Sequence, residues 1–159
     1  TASDLKALAG QQLDLSADLD DRDGWLDLLL THLIEPSLQQ PTFIYDYPAS
    51  QSALARVEID EQGVAVARRF ELYVQGMELA NGYFELVDSA EQANRFAQDQ
   101  RRRQQLGVEV LPTDQRLVTA LESGMPECAG VALGVDRLLM LATGAEHIDQ
   151  VLAFPIERA

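Results

Sequence analysis

The chain has 159 residues, 47% of them hydrophobic, and carries 26 acidic against 12 basic side chains for a formal net charge of -14. This length and composition are typical of a single globular domain and exclude a disordered chain. The acidic excess excludes general affinity for nucleic acids or anionic membranes, which requires a basic surface, although one or two arginines can still hold a nucleotide.

The first half of the chain predicts a helix, a strand and a hairpin. The acidic stretch "SADLDDRDGW" predicts a solvated lead-in to a helix in which apolar residues recur at helical spacing from Trp25 until Pro36 ends it. "PTFIYDYP" predicts a strand, and from Arg56 a period of two around "DEQG" predicts a hairpin. The strand pattern continues through "RRFELYVQGMELANGYFELV", with Gly76 and Gly82 as interruptions.

The second half predicts mostly helices. Ser89 as N-cap, Gln92 at the capping-box position and Gly107 at the C-terminus delimit one helix, and Gln115–Glu122 forms another. "CAGVALG" predicts a strand, "VDRLLMLATG" a buried helix ending at Gly144, and "VLAFP" a last strand. Because strands come first and helices follow, we expect an α+β fold, an antiparallel sheet with flanking helices.

The single cysteine, Cys128, excludes an intramolecular disulfide and a cysteine zinc cluster, and we expect it to be a buried, inert thiol. No apolar run approaches the roughly 20 residues that span a bilayer, and no signal peptide is visible. We therefore expect a cytoplasmic protein. The absence of an initial Met indicates a fragment.

Three carboxylates, Glu71, Glu78 and Glu85, recur at intervals of seven residues in the strand region. An odd interval places neighbours on opposite faces of an uninterrupted strand. Glu71 and Glu78 therefore share a face only if a bulge shifts the register between them, and Gly76 is placed to allow one.

Asn81, Tyr83 and Glu85 stand at every second position, so a regular strand aims all three to one side. This strip is either the exposed polar face of an antiparallel sheet or a binding surface for a small ammonium-bearing ligand. The flanking residues are mostly apolar, and carboxylates in apolar surroundings need a cation. That cation is either Mg²⁺, which prefers a few carboxylates plus phosphate oxygens, or a substrate amine.

The stretch "FELYVQGMELANGYFEL", followed by "GMPECAGVALGVDRLLML", resembles the C-terminal part of a class II aminoacyl-tRNA synthetase catalytic domain of the lysyl type. Positions 130–137 are similar to motif 3 of that class, which reads Gly-x-Gly-x-Gly-x-Asp/Glu-Arg, and "PTFIYDYPAS" is similar to an upstream strand. Motifs 1 and 2 belong upstream of Thr1 and are not in this chain. The resemblance implies that residues 1–159 are the C-terminal portion of such a domain and are inactive alone.

The resemblance also implies a nucleotide site for ATP and Mg²⁺. Arg137 aligns with the motif 3 arginine that contacts the ATP phosphates and adenine, and with Glu78 it is implied to be catalytic. Glu71 and Glu78 align with the carboxylates that hold Mg²⁺ and ATP. Leu79 is implied to bind ATP alongside these two carboxylates. Gly134, which precedes Arg137, is implied to lie against the nucleotide, where a missing side chain admits close approach.

For the substrate, the resemblance implies that Glu85 binds the side-chain ammonium of a lysine-like molecule and that Asn81 and Tyr83 line the same pocket. Lysyl-tRNA synthetases carry glycine at the middle position of motif 3, and this chain has Ala132 there. In this respect it looks like the branch of the family that attaches (R)-β-lysine to a lysine of elongation factor P.

Two alternatives stay open at this point: a fragment of a lysyl-tRNA synthetase that charges lysine tRNA, and a non-catalytic paralogue that only senses a ligand or partner. The implied reaction of the ligase is formation of an aminoacyl-adenylate followed by transfer to the acceptor. The resemblance further implies a homodimer when the protein is full length.

Overall fold

The structure is a computed structural model that describes residues 1–13, 19 and 21–158, with the main chain alone at 157. Within these ranges the helices are α1 (Ala2–Gln12), α2 (Arg22–Leu29), α3 (Ser89–Gln105), α4 (Gln115–Glu122) and α5 (Val135–Thr143). The strands are β1 (Thr42–Pro48), β2 (Val57–Ile59), β3 (Ala65–Val74), β4 (Met77–Phe84) and β5 (Ala129–Leu133).

The helix predicted around Trp25 is confirmed as α2. It continues as a π-helical turn (Leu30–Ile34) and a 3-10 turn (Glu35–Ser37) that contains Pro36. The acidic lead-in falls partly on residues 14–18 and 20, which lie outside the described residues, but Asp21 caps α2 by accepting from Gly24 N at 2.6 Å. One small core joins α1 to α2 through Ala9, Trp25 and Leu29.

All strand pairs are antiparallel, in the order β1-β3-β4-β5, with β2 also pairing with β3. The expected α+β class, an antiparallel sheet with flanking helices, is confirmed. The predicted hairpin is also confirmed: β2 and β3 flank Gly63, whose φ of 81° suits a glycine in a tight turn.

The prediction that Gly76 forms a bulge was wrong. Gln75 and Gly76 have φ of 53° and 73° and make a two-residue turn between β3 and β4, because two positive φ values match the twist of a tight hairpin. The bulge lies instead in β4, where Leu72 pairs with Ala80 but Tyr73 pairs with Glu78, leaving Leu79 as the extra residue.

Gly76 thus interrupts the strand pattern as predicted, whereas Gly82 does not. It lies inside β4, paired with Phe70 on one side and Val131 on the other. A Cβ at this position would lie 2.5 Å from the nearest atom of the Phe70 ring, so the aromatic ring that covers this position favours glycine.

The sheet has two unlike faces. We call the side that carries alternate residues of β3 with Glu71 the front face; its members include Tyr47, Arg69, Glu71, Tyr73, Glu78, Asn81, Tyr83, Gly130 and Ala132. The back face carries Phe43, Tyr45, Phe70, Leu72, Ala80, Gly82, Val131 and Leu133. Leu30 of the π-helical turn packs on the front face, against the core cluster of Tyr47, Ala55 and Ala67.

The helices of the second half follow the prediction with a one-residue correction. The N-cap of α3 is Asp88, whose carboxylate accepts from Glu91 N at 2.9 Å, and not Ser89, which is the first helical residue. Gly107 (φ 67°) follows the end of α3, as predicted. The bounds of α4, the strand β5 and the end of α5 at Gly144 (φ 71°) are confirmed.

Two predictions for the C-terminal part were wrong. "VLAFP" forms turns and bends after a 3-10 turn (Ile148–Gln150), and no residue of it pairs with a strand among the described residues. The helix α5 is not buried: Met140 is its one buried residue, while Leu138 and Leu139 are 44% and 42% exposed. Val135, at 67% exposure, also lies on the side of the helix that no described element covers.

Cys128 is half-buried and forms no disulfide, so the expected burial of its thiol is only partly met. No helix among the described residues has the length and apolar character that crossing a membrane requires.

Candidate functional site

Glu71 is the centre of a hydrogen-bond network on the front face. Its Oε2 accepts from Tyr47 Oη at 2.6 Å and from Tyr73 Oη at 2.7 Å. Its Oε1 accepts from Asn81 Nδ2 at 2.9 Å and from the Arg69 guanidinium. Because each oxygen has two donors, the carboxylate is fully satisfied although only 7% of Glu71 is exposed.

The two phenols of this network are neutral donors. Burial raises the pKa of Tyr47 and of Tyr73 well above the usual value, and the hydrogen bond to the Glu71 carboxylate raises both further. Tyr73 Oη also lies 3.3 Å from Glu35 Oε1, and this contact connects the network to the 3-10 turn after α2. The network thereby ties the helical segment to the middle of the sheet.

Glu78 reaches the same face because of the bulge at Leu79. The bulge places Glu78 opposite Tyr73, while Asn81 lies opposite Glu71. The expectation that a register shift brings Glu71 and Glu78 to one face is therefore confirmed, with the shift inside β4. Glu78 is far more open than Glu71, and no described hydrogen-bond donor reaches its carboxylate.

Arg137 stands beside Glu78 at the start of α5. Its Nη1 donates to Glu78 O at 2.7 Å and lies 3.7 Å from Glu78 Oε2. The helix begins after Gly134, whose backbone N donates to Leu79 O at 2.8 Å. This backbone hydrogen bond joins the bulge in β4 to the junction of β5 and α5. The guanidinium is half-exposed and remains available to an anion.

A cavity of about 390 Å³ opens between β4, β5 and the start of α5. It brings together six of the residues that sequence reasoning assigned to the site: Glu78, Leu79, Asn81, Ala132, Gly134 and Arg137. Glu71 does not line this cavity but lies behind Asn81, to which it is hydrogen-bonded. Leu133, Asp136 and Ile148 complete the lining with Ala80.

Tyr83 and Glu85 continue the front face beyond this cavity. Glu85 N donates to Cys128 O at 2.9 Å, and the Glu85 side chain folds over Gly130, where a Cβ would overlap Oε1. The carboxylate is half-buried, and within the described residues it has neither an ion-pair partner nor a hydrogen-bond donor. This arrangement leaves an anion without a protein cation.

The two predicted ligands of a divalent cation, Glu71 and Glu78, are not equally free to bind one. No group of three or more metal-binding side chains occurs among the described residues. An ion that arrives with phosphates needs only one or two carboxylates. Glu78 fits that role directly, whereas Glu71 fits it only by giving up one of its four hydrogen bonds.

Sequence reasoning missed three residues of the site: Tyr47, Arg69 and Tyr73. Arg69 and Tyr73 were detectable, because each is two positions from Glu71 in the same strand and therefore shares its face. Tyr47 carried no such signal. It comes from β1, where Asp46 at a φ of 56° shifts the register before Tyr47 turns to the front face.

Comparison with known proteins identifies the family of this chain. The family model described as tRNA synthetases class II (D, K and N) matches residues 9–158. The chain is 55% identical over 153 residues to the elongation factor P–(R)-β-lysine ligase of Photorhabdus laumondii subsp. laumondii. The aligned region covers 93% of this chain and 46% of that relative. The chain thus spans about half the length of the curated relative that it matches. Because the family model matches most of its length, the chain belongs to the class II tRNA synthetase family of the D, K and N type.

Proposed function

We propose that this chain supplies the C-terminal half of the catalytic site of an ATP-dependent aminoacyl ligase in the cytoplasm. In a protein that also contains the upstream half, which we expect to be a homodimer, the site activates lysine or (R)-β-lysine and transfers it to a lysine of elongation factor P. The observation that carries the proposal is the Glu85 carboxylate, which has no partner within the part of the chain that the structure describes and lies on the same face as Glu78 and Asn81 of the cavity.

The substrate end of the site is the strip of Asn81, Tyr83 and Glu85. A half-buried carboxylate without a cation favours a ligand that brings its own positive charge, as the side-chain ammonium of lysine or β-lysine does. Asn81 Oδ1 is buried and has no described donor, so it offers a second acceptor for a substrate N–H. Tyr83 supplies an aromatic surface between these two polar groups.

The nucleotide end is the cavity beside Arg137. An arginine held by Glu78 O is positioned to neutralise negative charge on the phosphates of ATP as the α-phosphate is attacked. Mg²⁺, when bound with ATP, would neutralise further phosphate charge, with Glu78 as its first protein ligand and Glu71 behind it. Leu79 and Gly134 line the floor against which the nucleotide lies.

In the proposed reaction the substrate carboxylate oxygen attacks the α-phosphate of ATP, and pyrophosphate leaves. The acceptor amine then attacks the acyl carbon, with AMP as the leaving group. No serine, threonine, cysteine or lysine is among the described residues that line this cavity, so the proposed catalysis relies on positioning and charge stabilisation.

Ala132 supports β-lysine over the α-lysine of a tRNA-charging enzyme. It lies opposite Asn81 in the sheet and lines the cavity, so its methyl occupies space beside the proposed amino-acid backbone. In a full-length protein, Ala132→Gly is expected to raise activation of α-lysine relative to β-lysine. An unchanged preference contradicts this role for the methyl group.

ATP–pyrophosphate exchange tests the proposal, measured on this chain and on a chimaera that joins residues 9–158 to the upstream half of the Photorhabdus ligase. We expect the chimaera to exchange with β-lysine and the chain alone to be inactive. Exchange by the chain alone at the rate of the chimaera contradicts the division of the site. No exchange by a folded chimaera contradicts the ligase and favours a non-catalytic paralogue.

In the active chimaera, Glu85→Gln is expected to lower kcat/KM for β-lysine about 100-fold, because the substrate ammonium loses its counter-charge. Glu122→Gln, which removes an equal charge from the exposed end of α4, is the matched control and leaves the rate unchanged. An equal effect of the two substitutions contradicts ammonium recognition by Glu85.

A further inference from the structure

Arg69 lies between Glu71 and Glu85, two of the three carboxylates of the front face, and it is paired with the first of them. It is paired with Tyr83 across β3 and β4, and its guanidinium stacks on the Tyr47 ring at 4.3 Å and lies 5.7 Å from the Tyr83 ring. Nη1 donates to Gln51 O at 3.1 Å, and Nη2 is paired with Glu71. Only 13% of the side chain is exposed.

The position of Arg69 decides how charge is distributed along this face. Glu71 has a cation in Arg69, whereas Glu85 has none within the described residues. The two carboxylates are close to the same tyrosine, since Asn81, opposite Glu71, and Glu85 are each two residues from Tyr83. Without Arg69, Glu71 and Glu85 would both lack a cationic partner, and they would stand on opposite sides of the Tyr83 ring.

We infer that Arg69 is a specificity-determining positioning residue that prevents Glu71 from acting as a second ammonium site beside Glu85. The third carboxylate of this face, Glu78, is paired with Arg137. The guanidinium neutralises Glu71 and repels any second ammonium from its neighbourhood. Discrimination of this kind needs a repulsive element against the wrong ligand as well as an attractive one for the right ligand. A lysine-like substrate is thereby held in one orientation, with its side-chain amine at Glu85, and a diamine gains nothing from its second charge.

This inference rests on the amine pocket of the proposed function, and amine binding by this chain tests both. The probes are n-pentylamine and cadaverine, which differ by one ammonium group, titrated into the isotope-labelled chain and followed by amide NMR shifts. In the wild-type chain, we expect the two amines to bind with affinities within about threefold of each other, as one ammonium site requires.

In Arg69→Ala, we expect cadaverine to gain about tenfold in affinity over n-pentylamine, because Glu71 becomes a second anionic site with open space beside it. Added methylguanidinium, which fills that space and restores the charge, is expected to return the ratio to the wild-type value. Arg69→Lys keeps a positive charge at the position and should keep the wild-type ratio. If Arg69→Ala does not fold, Arg69→Gln removes the charge with less loss of volume and should shift the ratio in the same direction.

A merely structural role for Arg69 would weaken both amines together and leave their ratio unchanged, which overturns the inference. A shift in Arg69→Lys as large as in Arg69→Ala also overturns it, because charge would then not be the cause. If the wild-type chain binds neither amine, the amine pocket of the proposed function is wrong, and the role of Arg69 fails with it. If the wild-type chain binds both amines and the ratio does not respond to Arg69, the amine pocket stands and only the inference fails.

Discussion

The two faces of the sheet reverse the usual relation between polarity and burial. On the front face the charged Glu71 is 7% exposed, whereas on the back face the apolar Phe43 and Val131 are 57% and 62% exposed. Both faces are made by alternate residues of the same strands. Burial in this chain therefore follows the contacts available on each side of the sheet, not the polarity of the side chain.

The faces also differ in what stabilises them. On the front, four donors converge on one carboxylate and the helical segment after α2 closes over them. On the back, Phe70 packs edge-on against Phe43 at 5.5 Å between ring centroids, but no described helix covers the outer strands. Loss of one group therefore has a large effect on the front face and a small one at the rim of the back face.

Glu71→Ala is expected to cause the largest loss of stability on either face. The substitution leaves a buried guanidinium without its carboxylate and two buried phenols without their acceptor. We expect the free energy of unfolding to fall by ~3–5 kcal/mol, as when one partner of a buried ion pair is removed. Urea denaturation followed by circular dichroism measures the change.

Glu78→Gln is the matched control, because Glu78 comes from the neighbouring strand, shares the front face and accepts no described hydrogen bond at its carboxylate. Its expected effect on stability is within ~0.5 kcal/mol. Similar losses for the two variants would show that the Glu71 network does not organise the fold.

Two glycines on adjacent strands offer a smaller and more local comparison. Gly82 lies under Phe70 on the back face, and Gly130 lies under Glu85 on the front face. Gly82→Ala forces the Phe70 ring to move and is expected to cost ~1–3 kcal/mol of stability, as overpacking does. A Cβ at Gly82 also lies 3.0 Å from Gly130 O, so the backbone gives little relief.

Gly130→Ala meets only the end of a flexible carboxylate that can swing outward. We expect it to change stability by less than ~1 kcal/mol and to abolish amine binding, because Glu85 leaves its position. Thermal unfolding and n-pentylamine titration of both variants measure the contrast. The two faces are not functionally distinct if Gly82→Ala impairs amine binding more than Gly130→Ala does.

Local signals in the sequence predicted most of the elements correctly. Helix bounds such as Gln115–Glu122 followed from capping residues and glycines, and the strands followed from a period of two. The errors came where the outcome depended on pairing between distant segments. Gly76 reads equally as a bulge or a turn until β4 is known to fold back on β3, and "VLAFP" has strand composition but no described strand edge beside it.

The site was predicted from resemblance more than from periodicity. Periodicity alone placed Asn81, Tyr83 and Glu85 together but left Glu71 and Glu78 on opposite faces until a bulge joined them. It could not reveal that Glu71 is already saturated, because two of its donors, Tyr47 and Arg69, depend on the register of β1 and on side-chain packing. Hydrogen-bond saturation is a property of the assembled sheet, and no single strand encodes it.

The smallest expected change in stability comes from the rim of the back face, where β5 has a free edge among the described residues. Val131→Lys places a charge on this edge strand at a side chain that is already 62% exposed. The substitution should change the free energy of unfolding by no more than ~0.5 kcal/mol. It should nevertheless reduce self-association, because exposed apolar edge strands pair with one another and lysine blocks that pairing. Sedimentation velocity over a range of concentrations measures association, with Gln115→Lys on the exposed side of α4 as the control for net charge. Equal suppression by both lysines assigns the effect to net charge, and loss of stability in Val131→Lys means that the back face is packed more tightly than its exposure indicates.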